Sequence, residues 1–428
     1  MSNANFQALP GFRDFYPDDF AIRAHIVRTW REVARRYGFQ EYDGPPLEPL
    51  ELYTEQSGPE IVQQLYNFVD KGGREVALRP EMTPTLARMA GARAGGLRKP
   101  IKWFAVPQLF RYERAQRGRL REHFQLNLDI IGEDDVSADA ELLAAAIDML
   151  RAFGLTEQDF VARVSDRRLL RALLLHAGVP EDQLVLVYNI VDKLERETRE
   201  AIGARLRGEA GMDEASVQRT LDIFQHTDFE AVRAAYGGTE GVGPEIERMA
   251  EILGHVRAMG LGGYVRFDLS IVRGLAYYTG IVFELFDATG ELRAICGGGR
   301  YDNLLAQVGG VQLPALGFGM GDVVLRELLT DRGLLPEARQ TLDYYVIAAP
   351  EQRGEALSVV HRLRDGGASV DYTYKPAGIN KQFKNASALG ARRTVVLGPE
   401  TAADGMVTVR DAETREERRV PLAELGRP

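Results

Sequence analysis

The sequence predicts an α+β chain of two domains, the first interrupted by a helical module and the second a small α/β unit. Three observations predict it. Apolar and polar residues alternate with a period of two at 122–131 and again at 264–272, between helical stripes. Strand signals stop from about 165 to 250, where charged helical patterns such as Lys193-Leu194-Glu195-Arg196-Glu197 take over, and then resume. From Tyr344 onward strand and helix patterns alternate, which predicts a largely parallel sheet. The domains are drawn at 1–335, with the insertion at about 165–250, and at 342–428.

Taken in order, Ile22, Ile26, Trp30, Val33 and Tyr37 form one helical stripe over 20–37, ended by Gly38. A short strand runs into the proline-held loop of 39–49. A strand ends at Pro80, and the Thr83-Pro84 pair starts a helix. Glu81 and Thr83 therefore sit at a strand-to-helix turn facing a pocket, although a helix cap would also account for the threonine. Residues 101–112 and 122–131 form a hairpin, and 137–153 a helix with a Leu142, Leu143, Ala146, Ile147, Leu150 stripe. After the insertion come the alternating 264–272, a glycine-bounded turn at 273–280, a strand at 281–286, GGGRYD at 297–302 and a glycine-rich strand entering a helix at 314–330. Three consecutive glycines let a backbone approach a ligand or another strand closely.

Composition narrows the function. A chain of 428 residues exceeds the roughly 250–300 at which one core stops growing. The net charge of −9 leaves nucleic-acid contact to local basic patches. The single cysteine, Cys296, excludes an internal disulfide framework, and the histidines lack metal-ligand spacing. No secretory signal or membrane span is read, so a cytoplasmic enzyme or binding protein is expected.

The hairpin is the most informative stretch. Its second strand points His123, Gln125, Asn127 and Asp129 to one face, and its loop carries Arg114, Arg117, Arg119 and Arg121 after Arg111 on the incoming strand. A polar face beside an arginine-rich loop suits a small polar substrate with a polyphosphate or nucleic acid. The hairpin alone equally allows a half-exposed ribbon with a solvated tip.

The segments LPGFRDFYP (9–17), LRPEMTPTLAR (78–88), FRYERAQRGRLREHFQ (110–125), VRGLAYYTG (272–280), GGGRYDNL (297–304) and LGFGMG (316–321) occur in one order. Together with INKQFKNASALGAR (379–392), they resemble class II aminoacyl-tRNA synthetases, and within them the histidyl-tRNA synthetase family. That resemblance implies an antiparallel six-stranded sheet with flanking helices, followed by an α/β anticodon-binding-type domain. It implies that L-histidine is activated with ATP, accompanied by Mg2+, and transferred to the 3′ end of tRNA(His). By the same resemblance Arg111 and Arg273 are the catalytic arginines at the α-phosphate. Arg111, Glu113, Arg119 and Arg273 bind ATP. Glu81, Thr83, Gln125, Asp129, Tyr277, Tyr278 and Tyr301 bind histidine, and Gln116 and Arg117 meet the tRNA. Residues 20–49 match the motif that builds a dimer interface, so a homodimer is expected. The metal ligands are not assigned.

Two positions depart from the family pattern. Val324 stands where an arginine that binds the γ-phosphate is usual, and Ala276 where many members carry aspartate. The alternative function is the synthetase-like regulatory paralogue that partners the phosphoribosyltransferase of histidine biosynthesis. Such paralogues generally lack the C-terminal domain that residues 344–428 supply here. An RNA-binding module with a dead catalytic core is opposed by the intact arginine and imidazole-pocket residues.

Overall fold

The computed structural model describes residues 6–57, 63–114, 116–194, 196–271, 278–336 and 342–425. One compact unit comprises the chain up to Phe15 with Ile22–Pro336, and the other Tyr16–Ala21 with the chain beyond Pro336.

Helix α1 (Pro17–Arg36), which belongs to the first unit from Ile22 onward, buries Ile26, Trp30, Val33 and Ala34. Acidic residues in its first turn and arginines in its last suit the helix dipole. Short strands β1 (Gln40–Glu41) and β2 (Leu47–Pro49), helix α2 (Glu51–Ser57) and strands β3 (Asn67–Val69) and β4 (Glu75–Leu78) lead to helix α3 (Thr83–Arg93). Then come β5 (Ile101–Ala105), β6 (Gln108–Phe110), β7 (Glu122–Ile131), α4 (Val136–Arg151) and β8 (Phe160–Asp166). The insertion is helical: α5 (Arg167–His176), α6 (Leu184–Val191), α7 (Arg199–Gly208), α8 (Glu214–Ile223), α9 (Phe229–Tyr236) and α10 (Gly243–Ala258). Side chains of Asp166, Thr198, Asp213 and Asp228 cap α5, α7, α8 and α9 by accepting their first free N–H groups. The unit closes with β9 (Val265–Phe267), β10 (Ile281–Asp287), β11 (Cys296–Arg300), α11 (Leu304–Gly309), β12 (Ala315–Gly321) and α12 (Asp322–Asp331).

Among the described residues the main sheet has nine strands in the order β1-β5-β7-β12-β11-β10-β8-β9, with β6 also on β7. Its central run β5-β7-β12-β11-β10-β8 is the expected six-stranded antiparallel sheet. The edges enlarge it to a mixed sheet, because β1 and β9 pair in parallel with β5 and β8. One sheet face, with Leu126, Leu128, Phe283, Leu285, Phe318 and Met320, is buried against α4 in the main core. The other face carries the polar residues of β7.

Local expectations are corrected in three places. The incoming hairpin strand is interrupted at Val106-Pro107, since proline lacks the N–H of a ladder bond. Among the described residues of that stretch, 264–271, only Val265–Phe267 is strand, because Asp268 turns back to accept bonds from the Ser270 backbone and hydroxyl. The C-terminal sheet is half parallel, as its last two strands form a hairpin.

The second unit contains β13 (Tyr344–Ala348), α13 (Arg353–Asp365), β14 (Val370–Tyr372), α14 (Ile379–Ala388), β15 (Arg393–Leu397), α15 (Pro399–Asp404), β16 (Met406–Asp411) and β17 (Glu417–Pro421). Strand order is β14-β13-β15-β16-β17, parallel up to β15 and antiparallel after it. Val346, Val359, Val360, Leu363, Val395, Leu397 and Val407 form one core layer, and Tyr345, Ile347 and Ala386 the other.

Candidate active site

The site begins with strand register. On β7 and β12, Asp129 lies opposite Gly317, Asn127 opposite Gly319 and Gln125 opposite Gly321. On β11, Gly299 and Gly297 continue the same rows, and on β10 Glu284 follows. A period of two places all of these on one sheet face, so a polar row runs beside rows without side chains. The absent side chains are required there. A Cβ on Gly317 would lie 2.7 Å from Asp129 Cγ and 2.9 Å from the Tyr301 hydroxyl. One on Gly319 would lie 2.8 Å from Gln125 Nε2, and one on Gly299 2.8 Å from the Tyr278 ring. The glycines form a trough into which the polar side chains lean.

Over this trough lies a cavity of about 890 Å³. Arg111, Arg119, His123, Gln125, Glu284 and Arg293 are among its lining residues. Arg111 is oriented by its Nε, which donates to the Pro80 carbonyl at 3.0 Å. Arg119 forms an ion pair with Glu113. His123 is pulled down to about 3 by burial and by the guanidinium groups of Arg111 and Arg13, so its imidazole is neutral at physiological pH. The hairpin tip is exposed: Arg117 Nε pairs with Glu327 at 3.1 Å, and Gln116 accepts from Arg293 at 2.9 Å.

Further along β7 the trough ends in a buried pair. The Tyr301 hydroxyl donates to Asp129 Oδ1. Burial pushes the Asp129 carboxyl up to about 7, opposed by that hydrogen bond. Trp103, opposite Asp129 on β5, packs against Tyr42 at 5.5 Å between rings. The Tyr42 hydroxyl is buried and has no hydrogen-bond partner among the described residues. A buried orphan of this kind points to a polar ligand or water. Glu81, half-buried after β4, has its carboxyl pushed up by burial, with Arg111 acting in the opposite direction. Thr83 is the first residue of α3 and not its cap, since Met82 holds the N-cap position. The capping alternative is therefore discarded.

Two ion-pair networks hold this arrangement. Arg13 bonds Glu122 at 2.6 Å and Asp322 at 2.9 Å, tying the N-terminal segment to the starts of β7 and α12. Arg300, at 0% exposure, forms a two-pronged pair with Asp139 of α4, both bonds 2.9 Å, and Arg248 of α10 joins at 3.3 Å.

Comparison with known proteins decides what this site belongs to. Residues 11–322 match the family model described as histidyl-tRNA synthetase. The chain belongs to the histidyl-tRNA synthetase family. Residues 343–427 match the anticodon binding domain model. A protein named histidine–tRNA ligase from Opitutus terrae is 48% identical over 426 residues, covering 99% of this chain and 97% of the relative. The chloroplastic/mitochondrial histidine–tRNA ligase of Arabidopsis thaliana is 42% identical, covering 97% and 85%. The crystal structure of histidyl-tRNA synthetase from Nostoc sp. PCC 7120 superimposes with a TM-score of 0.82 at 25% identity, covering 99% and 98%.

Set against the family's motifs, the cavity gathers Arg111, Arg119 and Gln125, while Asp129 and Tyr301 form the buried end of the trough behind Gly317. Tyr278 packs beside Gly299. Arg273 and Tyr277, together with Ala276, lie outside the described residues. Val324 is buried on α12 and presents an apolar wall to the cavity. Sequence reasoning missed several lining residues. Glu284 was accessible to it, because the alternation of β10 gives it the parity of the trough. Asp192 and Arg196 reach the cavity from the helical insertion, and Arg293 from the β10–β11 loop; no periodic signal marks them.

Proposed function

We propose that this chain is a histidine–tRNA ligase whose amino-acid site is the end of the β7 trough and whose nucleotide site is the arginine-lined cavity. The observation that carries this is the buried Asp129–Tyr301 pair behind Gly317, in a family member whose relatives of similar length bear that name. The C-terminal match to an anticodon binding domain supports a ligase over the regulatory paralogue.

In the first step a carboxylate oxygen of histidine attacks the α-phosphorus of ATP. The bond to the bridging oxygen breaks, and pyrophosphate leaves with the electron pair. The attacking group is already ionised at neutral pH, so no general base is needed. Arg111 and Arg273 supply charge to the α-phosphoryl oxygens, where it builds in the transition state. Arg119 takes the outer phosphates and Glu113 lies toward the adenine. Glu81, Thr83 and Gln125 hold the α-ammonium, and Tyr277 and Tyr278 complete the amino-acid site with Tyr301. In the second step a ribose hydroxyl of the tRNA terminus attacks the acyl carbon and AMP departs, with Gln116 and Arg117 meeting the acceptor end. Magnesium travels with the nucleotide as part of the substrate; Glu284 and Asp192 are carboxylates of the cavity wall that would face it. A homodimer is supported by Leu47, Phe68 and Val69, exposed on the small β2-β4-β3 sheet. The compartment proposed is the cytoplasm; among the described residues no helix is long and apolar enough to cross a membrane.

The amino-acid pocket is tested by pH. Ionised Asp129 is the form that accepts the imidazole N–H, so protons compete with histidine. Its carboxyl sits at about 7, and affinity therefore falls as pH drops through that value. Between pH 8 and pH 6 this one group should raise the KM for histidine about tenfold. Asp129→Asn should have a high KM that lacks this component. An unchanged pH profile in Asp129→Asn would remove the residue from the pocket.

A steric test is independent of charge. Gly317→Ala places a methyl group against Asp129 and the Tyr301 hydroxyl. The expected result is a rise of about tenfold or more in the KM for histidine, because a 1 Å displacement of a binding group is costly. The KM for ATP should stay near the wild-type value. Steady-state exchange kinetics read both.

A further inference from the structure

Arg293 lies in the loop between β10 and β11 and lines the cavity; it is an exposed cation whose described partner is the neutral amide of Gln116, at 2.9 Å. Arg119, by contrast, is already paired with Glu113. The loop that carries Arg293 is built. Asp287, itself buried, accepts the N–H of Leu292 at 2.9 Å and of Glu291 at 3.3 Å. The Ile295 N–H bonds the Leu285 carbonyl at 2.8 Å, and the Ile295 carbonyl accepts from Gly321 at 3.3 Å. The loop is thus tied to the residue that precedes α12. Arg293 and Val324 also flank one point of the basic hairpin: a Cβ on Gly118 would meet Val324 Cγ2 at 3.4 Å and Arg293 Cδ at 3.6 Å.

We propose that Arg293 binds the terminal phosphates of ATP and the departing pyrophosphate, delivering from the β10–β11 loop a guanidinium to the place where α12 presents only valine. This rests on the cavity being the nucleotide site. A guanidinium fork matches phosphate oxygens in charge and geometry. Its bond to Gln116 is neutral on the acceptor side and yields readily to a charged one. As the bond at the α-phosphorus breaks, negative charge grows on the pyrophosphate oxygen, and a cation placed there favours departure.

The test compares wild type, Arg293→Ala and Arg293→Lys in histidine-dependent ATP–pyrophosphate exchange, with AMP as inhibitor. AMP carries only the α-phosphate, so it separates a lost outer-phosphate contact from a general disturbance. For Arg293→Ala the KM for ATP and for pyrophosphate should each rise roughly tenfold, the worth of one good contact. Inhibition by AMP and the KM for histidine should stay within about twofold. Arg293→Lys should fall between the two. Rescue of the pyrophosphate KM by Val324→Arg in the Arg293→Ala background would add support. The proposal is overturned if no constant moves, or if AMP and pyrophosphate weaken together. Absence of histidine-dependent exchange in the wild type would instead overturn the reading of the cavity.

Discussion

Arg111→Ala is expected to slow histidine-dependent ATP–pyrophosphate exchange by roughly a hundred- to a thousandfold, the usual cost of removing one donor aimed at developing charge. Arg111 lines the cavity at the head of the polar strand, and its Nε bond to Pro80 fixes the guanidinium before substrate arrives. A preset donor spends nothing on reorganisation during reaction. Because the phosphoryl charge it faces is largest in the transition state, the loss should fall mainly on kcat and less on the KM for ATP. Steady-state exchange over a range of ATP concentrations measures both. A variant changed only in KM would make Arg111 a ground-state ligand.

The second large effect is on stability. Asp139→Ala is expected to cost about 3–5 kcal/mol, because it removes the two-pronged carboxylate from the buried Arg300 guanidinium and leaves it only the Glu133 carbonyl and Asp302 at 3.4 Å. Both residues are at 0% exposure and share two bonds. Arg300 also precedes Tyr301 on the chain, so the pair holds the strand that delivers the hydroxyl to Asp129. Denaturant unfolding of the variant, followed by fluorescence, should show an earlier transition. The double replacement Asp139→Leu with Arg300→Met should recover much of the loss, since both members of the fully buried pair are removed together. A single variant as stable as wild type would mean that water, or Asp302 moving in from 3.4 Å, replaces the lost carboxylate.

These residues show where sequence reasoning succeeds and where it stops. The alternation from His123 to Asp129 is local, and it identified the polar strand without a structure. The apposition of Asp129 with Gly317 and of Asn127 with Gly319 is not local; it follows from the register of strands far apart in the chain. The sequence therefore offered glycine runs and a polar strand as separate facts, and only pairing turned them into a trough. In GGGRYD the motif pointed to a pocket, yet within it Tyr301 faces the site while Arg300 is committed to Asp139. Alternation of side chains explains that division. Arg117 is expected to meet the tRNA from a basic loop, and nothing in the sequence signals that Glu327 of α12 pairs with it. In the second unit, β17 opens on Glu417, Arg418 and Arg419 and has one valine, so its strand signal is weak and the antiparallel half of that sheet was missed.

The central claim is that the trough on β7 selects histidine and the cavity above it activates that amino acid with ATP. The most direct measurement is amino-acid-dependent ATP–pyrophosphate exchange by the wild-type chain, with histidine and every other amino acid in turn. The account predicts exchange with histidine far above the rest, and its collapse in Asp129→Leu. Exchange with another amino acid equal to that with histidine, or histidine-dependent exchange untouched by Asp129→Leu, would contradict it.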